Sequence, residues 1–189
     1  MAGVAPASPT LSESALVVID AQREYVDGAL ALPAVKPALA EIGALLARAR
    51  ALRAPVIHIV HAGNGLFEPG SDGAAIAAVA DPAPGEPVLT KKLPNAFAST
   101  DLADRLRAMK RGTIVIVGFM THMCVEATAR AAIDLGFKAA VVAGATATRD
   151  LADPLTGATV PAAEVQRNAL AALADRFAVV VPTQKDVRD

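Results

Sequence analysis

The 189-residue chain predicts an α/β fold: a three-layer, doubly wound sandwich with a six-stranded, mainly parallel sheet and helices on both faces. Three observations lead there. The short apolar runs are continuous instead of alternating, as in strands buried on both sides. Longer segments of helical period separate them, so the connections are crossovers and the strands run parallel. Right-handed crossovers then make the strand order 3-2-1-4-5-6 the simplest topology.

The elements follow in order. Ala15 to Ile19 is too short for a core helix and reads as the first strand. A loop to Leu32 precedes a helix from Pro33 to Leu52, with Leu39, Ile42, Leu45 and Leu46 at helical spacing and prolines near its start. Pro55 to Val60 is the second strand. His61 to Glu86 is rich in Gly, Pro and Ala, with one short helix expected around Ala74 to Val79; a loop this long in a compact domain is usually functional. Val88 to Thr90 is the third strand, followed by a helix from Thr100 to Lys110. Thr113 to Val117 is the fourth, Val125 to Leu135 its helix, and Lys138 to Ala143 the fifth. A loop from Gly144 to Thr159 leads to the helix Pro161 to Ala174, and Phe177 to Val181 closes the sheet. No second composition or repeat appears, so residues 1–189 read as a single domain, with 1–13 as a loose N-terminal tail.

Composition narrows the function. A net charge of −1, a pI near 6.3 and a content of one Tyr, five Phe and no Trp argue against a nucleic-acid surface. The hydrophobic fraction of 53% is alanine-rich, and no apolar run approaches the ~20 residues that cross a bilayer. Met1 to Thr10 lacks the features of a signal peptide. A lone cysteine excludes internal disulfides and fits a reducing cytoplasm. No G-x-G-x-x-G follows the first strand, which disfavours a dinucleotide site, and Gly63-Asn64-Gly65 is a turn signal.

That cysteine, Cys124, lies one turn into the helix expected after the fourth strand. With Thr121 as N-cap it would be the third residue of a helix, where the helix N-terminus favours a thiolate. Inert burial is the competing reading. Asp20 and Lys91 end the first and third strands in the same way. Each alone reads as a solvated strand terminator. Together, a carboxylate, an amine and a thiol at strand C-termini fall along the sheet edge where ligands of open α/β folds bind.

The runs Leu16-Val-Val-Ile-Asp20-Ala-Gln22, Lys91-Lys-Leu-Pro-Asn95-Ala-Phe97 and Gly118-Phe-Met-Thr-His-Met-Cys124 resemble the isochorismatase-like cysteine hydrolases, over about Leu16 to Val180. The resemblance implies a catalytic triad of Asp20, Lys91 and Cys124. It also implies a non-proline cis peptide at Phe119–Met120, with the Met120 and Cys124 backbone N–H groups as oxyanion hole. The chemistry implied is hydrolysis of the C–N bond of a small-molecule amide through a thioester, without a cofactor. Relatives that cleave the vinyl ether of isochorismate typically lack the cysteine. A homo-oligomer, dimer or tetramer, is also expected.

The surroundings are less determined. Gln22, Tyr25, His61, Phe67 and His122 are the pocket candidates, and Phe97 either walls the site or packs. Metal-dependent nicotinamidases carry an Asp-x-His and further histidines near the second strand. Here His58 and His61 would face opposite sides of a strand, so no metal site is expected. Gly144 stands where relatives often have Asp. A silent binding protein on the same fold and a redox-sensing thiol are the alternatives from other classes, though no second cysteine is present to resolve an oxidised one.

Overall fold

Period-two alternation sorts each strand's apolar residues onto two cores. In β1 (Ala15–Ile19), Leu16 and Val18 join the cluster under α1 (Val35–Ala51), while Ala15, Val17 and Ile19 join the cluster on the other face. The computed structural model describes residues 8–189. The remaining strands are β2 (Val56–His61), β3 (Val88–Lys91), β4 (Thr113–Phe119), β5 (Lys138–Ala147) and, near the C-terminus, β8 (Val179–Val181). They form one six-stranded sheet in the order β3-β2-β1-β4-β5-β8, with every pairing parallel. This is the predicted topology. Its sixth strand is numbered eight because two short strands, β6 (Leu151–Ala152) and β7 (Thr159–Val160), pair antiparallel inside the expected loop from Gly144.

Helix α1 buries Val35, Ala38, Leu39, Ile42, Leu45, Leu46 and Ala49, the stripe that its spacing predicts. On the opposite face, α2 (Leu102–Ala108), α3 (Glu126–Asp134) and α4 (Ala162–Arg176) supply Leu102, Leu106, Ala129, Ala132 and Leu173. The helix expected near Ala74 is absent. Gln22 bridges to Ile76 there, followed by a 3-10 turn at Ala78–Ala80. The loop ends on Glu86, which takes bonds from His58, Arg50 and the Ala83 N–H at 2.8 to 2.9 Å. Although burial opposes it, these donors pull the Glu86 carboxyl down to about 2.

The expectation of a loose tail over 1–13 is corrected where the structure describes it. Leu11 is fully buried, its N–H donates to the Arg188 carbonyl at 2.8 Å, and the Arg188 N–H donates to Pro9 at 3.0 Å. An apolar leucine joining the core explains the order. Residues 1–7 lie outside the described residues.

Gly118 sets the approach of the two central strands. It has φ +113°, and a Cβ added there would lie 1.9 Å from the Ile19 carbonyl oxygen. The β4–β5 register also shifts between Ile116 and Gly118. Gly118→Ala must therefore push β1 away from β4 while adopting a disfavoured φ. A loss of about 3 kcal/mol or more is expected in denaturant unfolding; an unchanged midpoint would contradict this packing.

Candidate active site

Three strand ends bring the reactive side chains together. Ile19 pairs with Gly118 on β4 and with Ile59 on β2, so Asp20 emerges at the crevice between the central strands. Its backbone is left-handed, φ 48°, a conformation that Asp tolerates better than most residues. Lys91 ends β3, paired with His61 on β2, and its long side chain reaches inward from the sheet edge. Beyond β4 the Phe119–Met120 peptide is cis, and the chain then makes a π-type turn over Thr121–Val125. The Val125 N–H reaches back five residues to the Met120 carbonyl at 3.2 Å. Such turns recur at functional sites.

This differs from the predicted helix start. Met120, not Thr121, occupies the cap position, and the fully buried Thr121 Oγ1 makes no hydrogen bond. Cys124 lies inside the π-type turn, before α3 begins.

The Lys91 Nζ lies 2.7 Å from Asp20 Oδ2 and 3.2 Å from Cys124 Sγ. Asp20 and Lys91 are fully buried and Cys124 is 4% exposed, so the cluster is shielded from water. The Asp20 contact is an ion pair buried on both sides. Burial pushes the Asp20 carboxyl up, and the Lys91 charge pulls it back. Cys124 moves opposite to the sequence expectation. Burial and the Asp20 charge push its thiol up to about 12, outweighing Lys91. Burial and the neighbouring Asp20 charge therefore favour the thiol over a preformed thiolate.

The pocket candidates separate into distinct environments. His61 is half-buried and points Nδ1 at Lys91 Nζ, 3.5 Å away. Tyr25 and Phe67 are buried with ring centroids 5.2 Å apart, Tyr25 is 6.0 Å from Phe119, and Phe67 meets His61 edge-on at 5.4 Å. These rings form one aromatic wall. Gln22 is corrected: it is fully buried, and its amide is spent on the His61 N–H and carbonyl and on the Ala74 carbonyl. It holds backbone, and both of its amide N–H donors are used there. His122 bonds the Thr148 hydroxyl through Nδ1 at 2.5 Å. Phe97 stacks on Phe137, 5.7 Å away, in the core under α2. His58 turns from His61 toward Glu86, as strand alternation predicts. The Gly144 N–H donates to the Pro182 carbonyl at 2.8 Å.

Sequence reasoning missed Arg149. It stands two residues beyond Ala147, which pairs with Phe119 in the β4–β5 ladder. It is half-buried just past the C-terminal end of β5, and its charge opposes protonation of the His122 imidazole. It donates to the Asp150 carbonyl at 3.1 Å, and among the described residues no carboxylate forms a salt bridge with it. The signal was the strand end: β5 runs to Ala147, four residues beyond its predicted limit.

A doubly wound parallel sheet whose central crevice gathers a carboxylate, an ammonium and a thiol has the form of the isochorismatase-like hydrolases. The chain belongs to the isochorismatase family: the isochorismatase domain matches residues 14–185. It is 38% identical over 190 residues to the secreted isochorismatase effector Isc1 of Verticillium dahliae, covering 99% of this chain and 96% of that one. It is 37% identical over 169 residues to a streptothricin hydrolase of Streptomyces noursei, 88% of this chain and 61% of the relative. Over 90 residues, 48% of this chain and 39% of the relative, it is 37% identical to a maleamate amidohydrolase of Pseudomonas putida. The crystal structure of an isochorismatase from Pseudomonas putida superimposes with a TM-score of 0.91 at 37% identity, covering 95% of this chain and 92% of the other.

Proposed function

We propose that the chain is a cysteine amidohydrolase that cleaves the C–N bond of a small amide. The observation that carries this reading is the single Lys91 ammonium touching both Asp20 and Cys124 in a largely buried site. Asp20 takes the thiol proton as Cys124 Sγ attacks the carbonyl carbon, and the electron pair moves to the carbonyl oxygen. The Met120 and Cys124 backbone N–H groups hold that oxyanion. As the C–N bond breaks, Asp20 returns the proton to the departing nitrogen, leaving a thioester. Water, losing its proton to Asp20, attacks the thioester, and the acid departs as the thiol is restored. A base able to carry a proton between these steps suits an amide, whose nitrogen must be protonated to leave. Asp20, raised by burial, is such a base. Its sign is clear: activity falls as pH falls through the Asp20 pKa, because the protonated form cannot accept the thiol proton.

A panel of small amides assayed for ammonia release, with Cys124→Ala as control, tests the reading. Cys124-dependent release supports it. Release that survives in Cys124→Ala rejects it.

Arg149 favours acyl groups that bear a carboxylate. Iodoacetate and iodoacetamide alkylate the same thiol and differ in one charge. Arg149→Gln is expected to slow iodoacetate about tenfold and to leave iodoacetamide within about threefold. Equal effects on both reagents would remove Arg149 from substrate selection.

A further inference from the structure

The Lys91 ammonium has three hydrogens and three neighbours. Asp20 Oδ2, Cys124 Sγ and His61 Nδ1 lie 2.7, 3.2 and 3.5 Å from Nζ. We propose that neutral His61 is a positioning residue that completes the seat of the Lys91 ammonium between Asp20 and Cys124, and that protonating His61 disturbs that seat. The inference rests on the reading of Asp20, Lys91 and Cys124 as the reacting cluster.

The imidazole is held in place from several sides. Gln22, fully buried, grips the His61 backbone at both ends: Oε1 accepts its N–H at 2.9 Å and Nε2 donates to its carbonyl at 3.0 Å. The Phe67 ring packs edge-on against it, with planes at 89°. The β2–β3 register sets His61 directly beside Lys91. A neutral imidazole accepts through Nδ1 only if Nε2 carries the proton, so the contact assigns the tautomer. Nε2 then faces Gly63, where an added Cβ would come within 3.4 Å. Gln22 thus serves the cluster indirectly, through His61.

The charges around His61 define its effect. Lys91 faces it from β3 and Asp20 from the end of β1; Phe67 and Gly63 are uncharged. Burial and the Lys91 cation push the His61 pKa down, toward the neutral form, against the pull of Asp20. Protonation would set two cations side by side and turn the acceptor at Nδ1 into a donor facing a donor. One carboxylate cannot compensate both. The site therefore loses competence through two protonations on its acid side, at Asp20 and at His61.

The test needs no substrate. Cys124 is the only thiol in the chain, so its alkylation rate by iodoacetamide reports the cluster directly. Rates are measured from about pH 4.5 to 8.5 in the wild type, His61→Asn and His61→Leu, with thermal melting of each. His61→Asn keeps an acceptor near Nδ1 but does not titrate. It is expected to change the acid-side slope of log rate from about two to about one, whatever its neutral-pH rate. His61→Leu is expected to lose about tenfold or more. Wild-type rates and slope in both variants would overturn the proposal. If His61→Leu proves unfolded, the slope in His61→Asn decides. A wild-type thiol inert to the reagent would overturn it together with the nucleophile. Alkylation that responds to His61 in a protein that hydrolyses no amide would overturn the hydrolase reading and leave this one standing.

Discussion

Cys124→Ala is expected to lower turnover by about four to six orders of magnitude while leaving the fold intact. The expectation follows from the division of labour. In the proposed mechanism Asp20 would be a proton carrier without a nucleophile if the sulfur is removed, and Lys91 would only organise charge. No other thiol exists in the chain to substitute. The stability cost is small by comparison. Deleting one sulfur from a buried position removes about 1 to 2 kcal/mol of packing. Steady-state rates alongside denaturant unfolding separate the two effects. A variant that keeps more than about a hundredth of wild-type turnover would show that another group attacks the carbonyl.

Lys91→Met should be costly in both respects. Methionine approximates the length and volume of the lysine stem, so packing is largely kept and the charge is what goes. Asp20 is then a fully buried carboxylate without a counter-ion. Breaking a buried pair by removing one partner costs about 3 to 5 kcal/mol. The carboxyl escapes by taking a proton, and a protonated Asp20 is no base. Turnover should fall by about a thousandfold or more. The double variant Asp20→Asn/Lys91→Met separates charge from chemistry: it should recover much of the stability and none of the activity. A single Lys91→Met as stable as the wild type would mean that the pair is not desolvated as described.

Sheet order, the α1 stripe and the placement of Asp20, Lys91 and Cys124 at strand ends were readable because each rests on a local pattern. Short continuous apolar runs between helical segments suit strands of a covered parallel sheet, and parallel strands place their C-termini along one edge. What stayed unread depends on contacts distant in sequence. The buried state of Leu11 needs Arg188, and the role of Gln22 needs the His61 and Ala74 backbones, 39 and 52 residues away. Arg149 was hidden because β5 continues past Gly144 into a segment whose glycine and threonines suggest a loop. The thiol's electrostatics ran against expectation for a related reason. A helix start argues for a thiolate, but burial beside a carboxylate is a tertiary fact and acts in the opposite direction.

One relative carries the word secreted in its name, whereas a lone cysteine suggested a reducing compartment.

The most direct measurement is intact-protein mass spectrometry of enzyme quenched in acid during turnover of an amide that releases ammonia. The expected spectrum shows a population heavier by the mass of the acyl group, mapped to Cys124 by peptide analysis and absent from Cys124→Ala. Turnover in which the acyl mass sits on another residue, or in which Cys124→Ala continues to release ammonia, would contradict a thioester formed within the Asp20, Lys91 and Cys124 cluster.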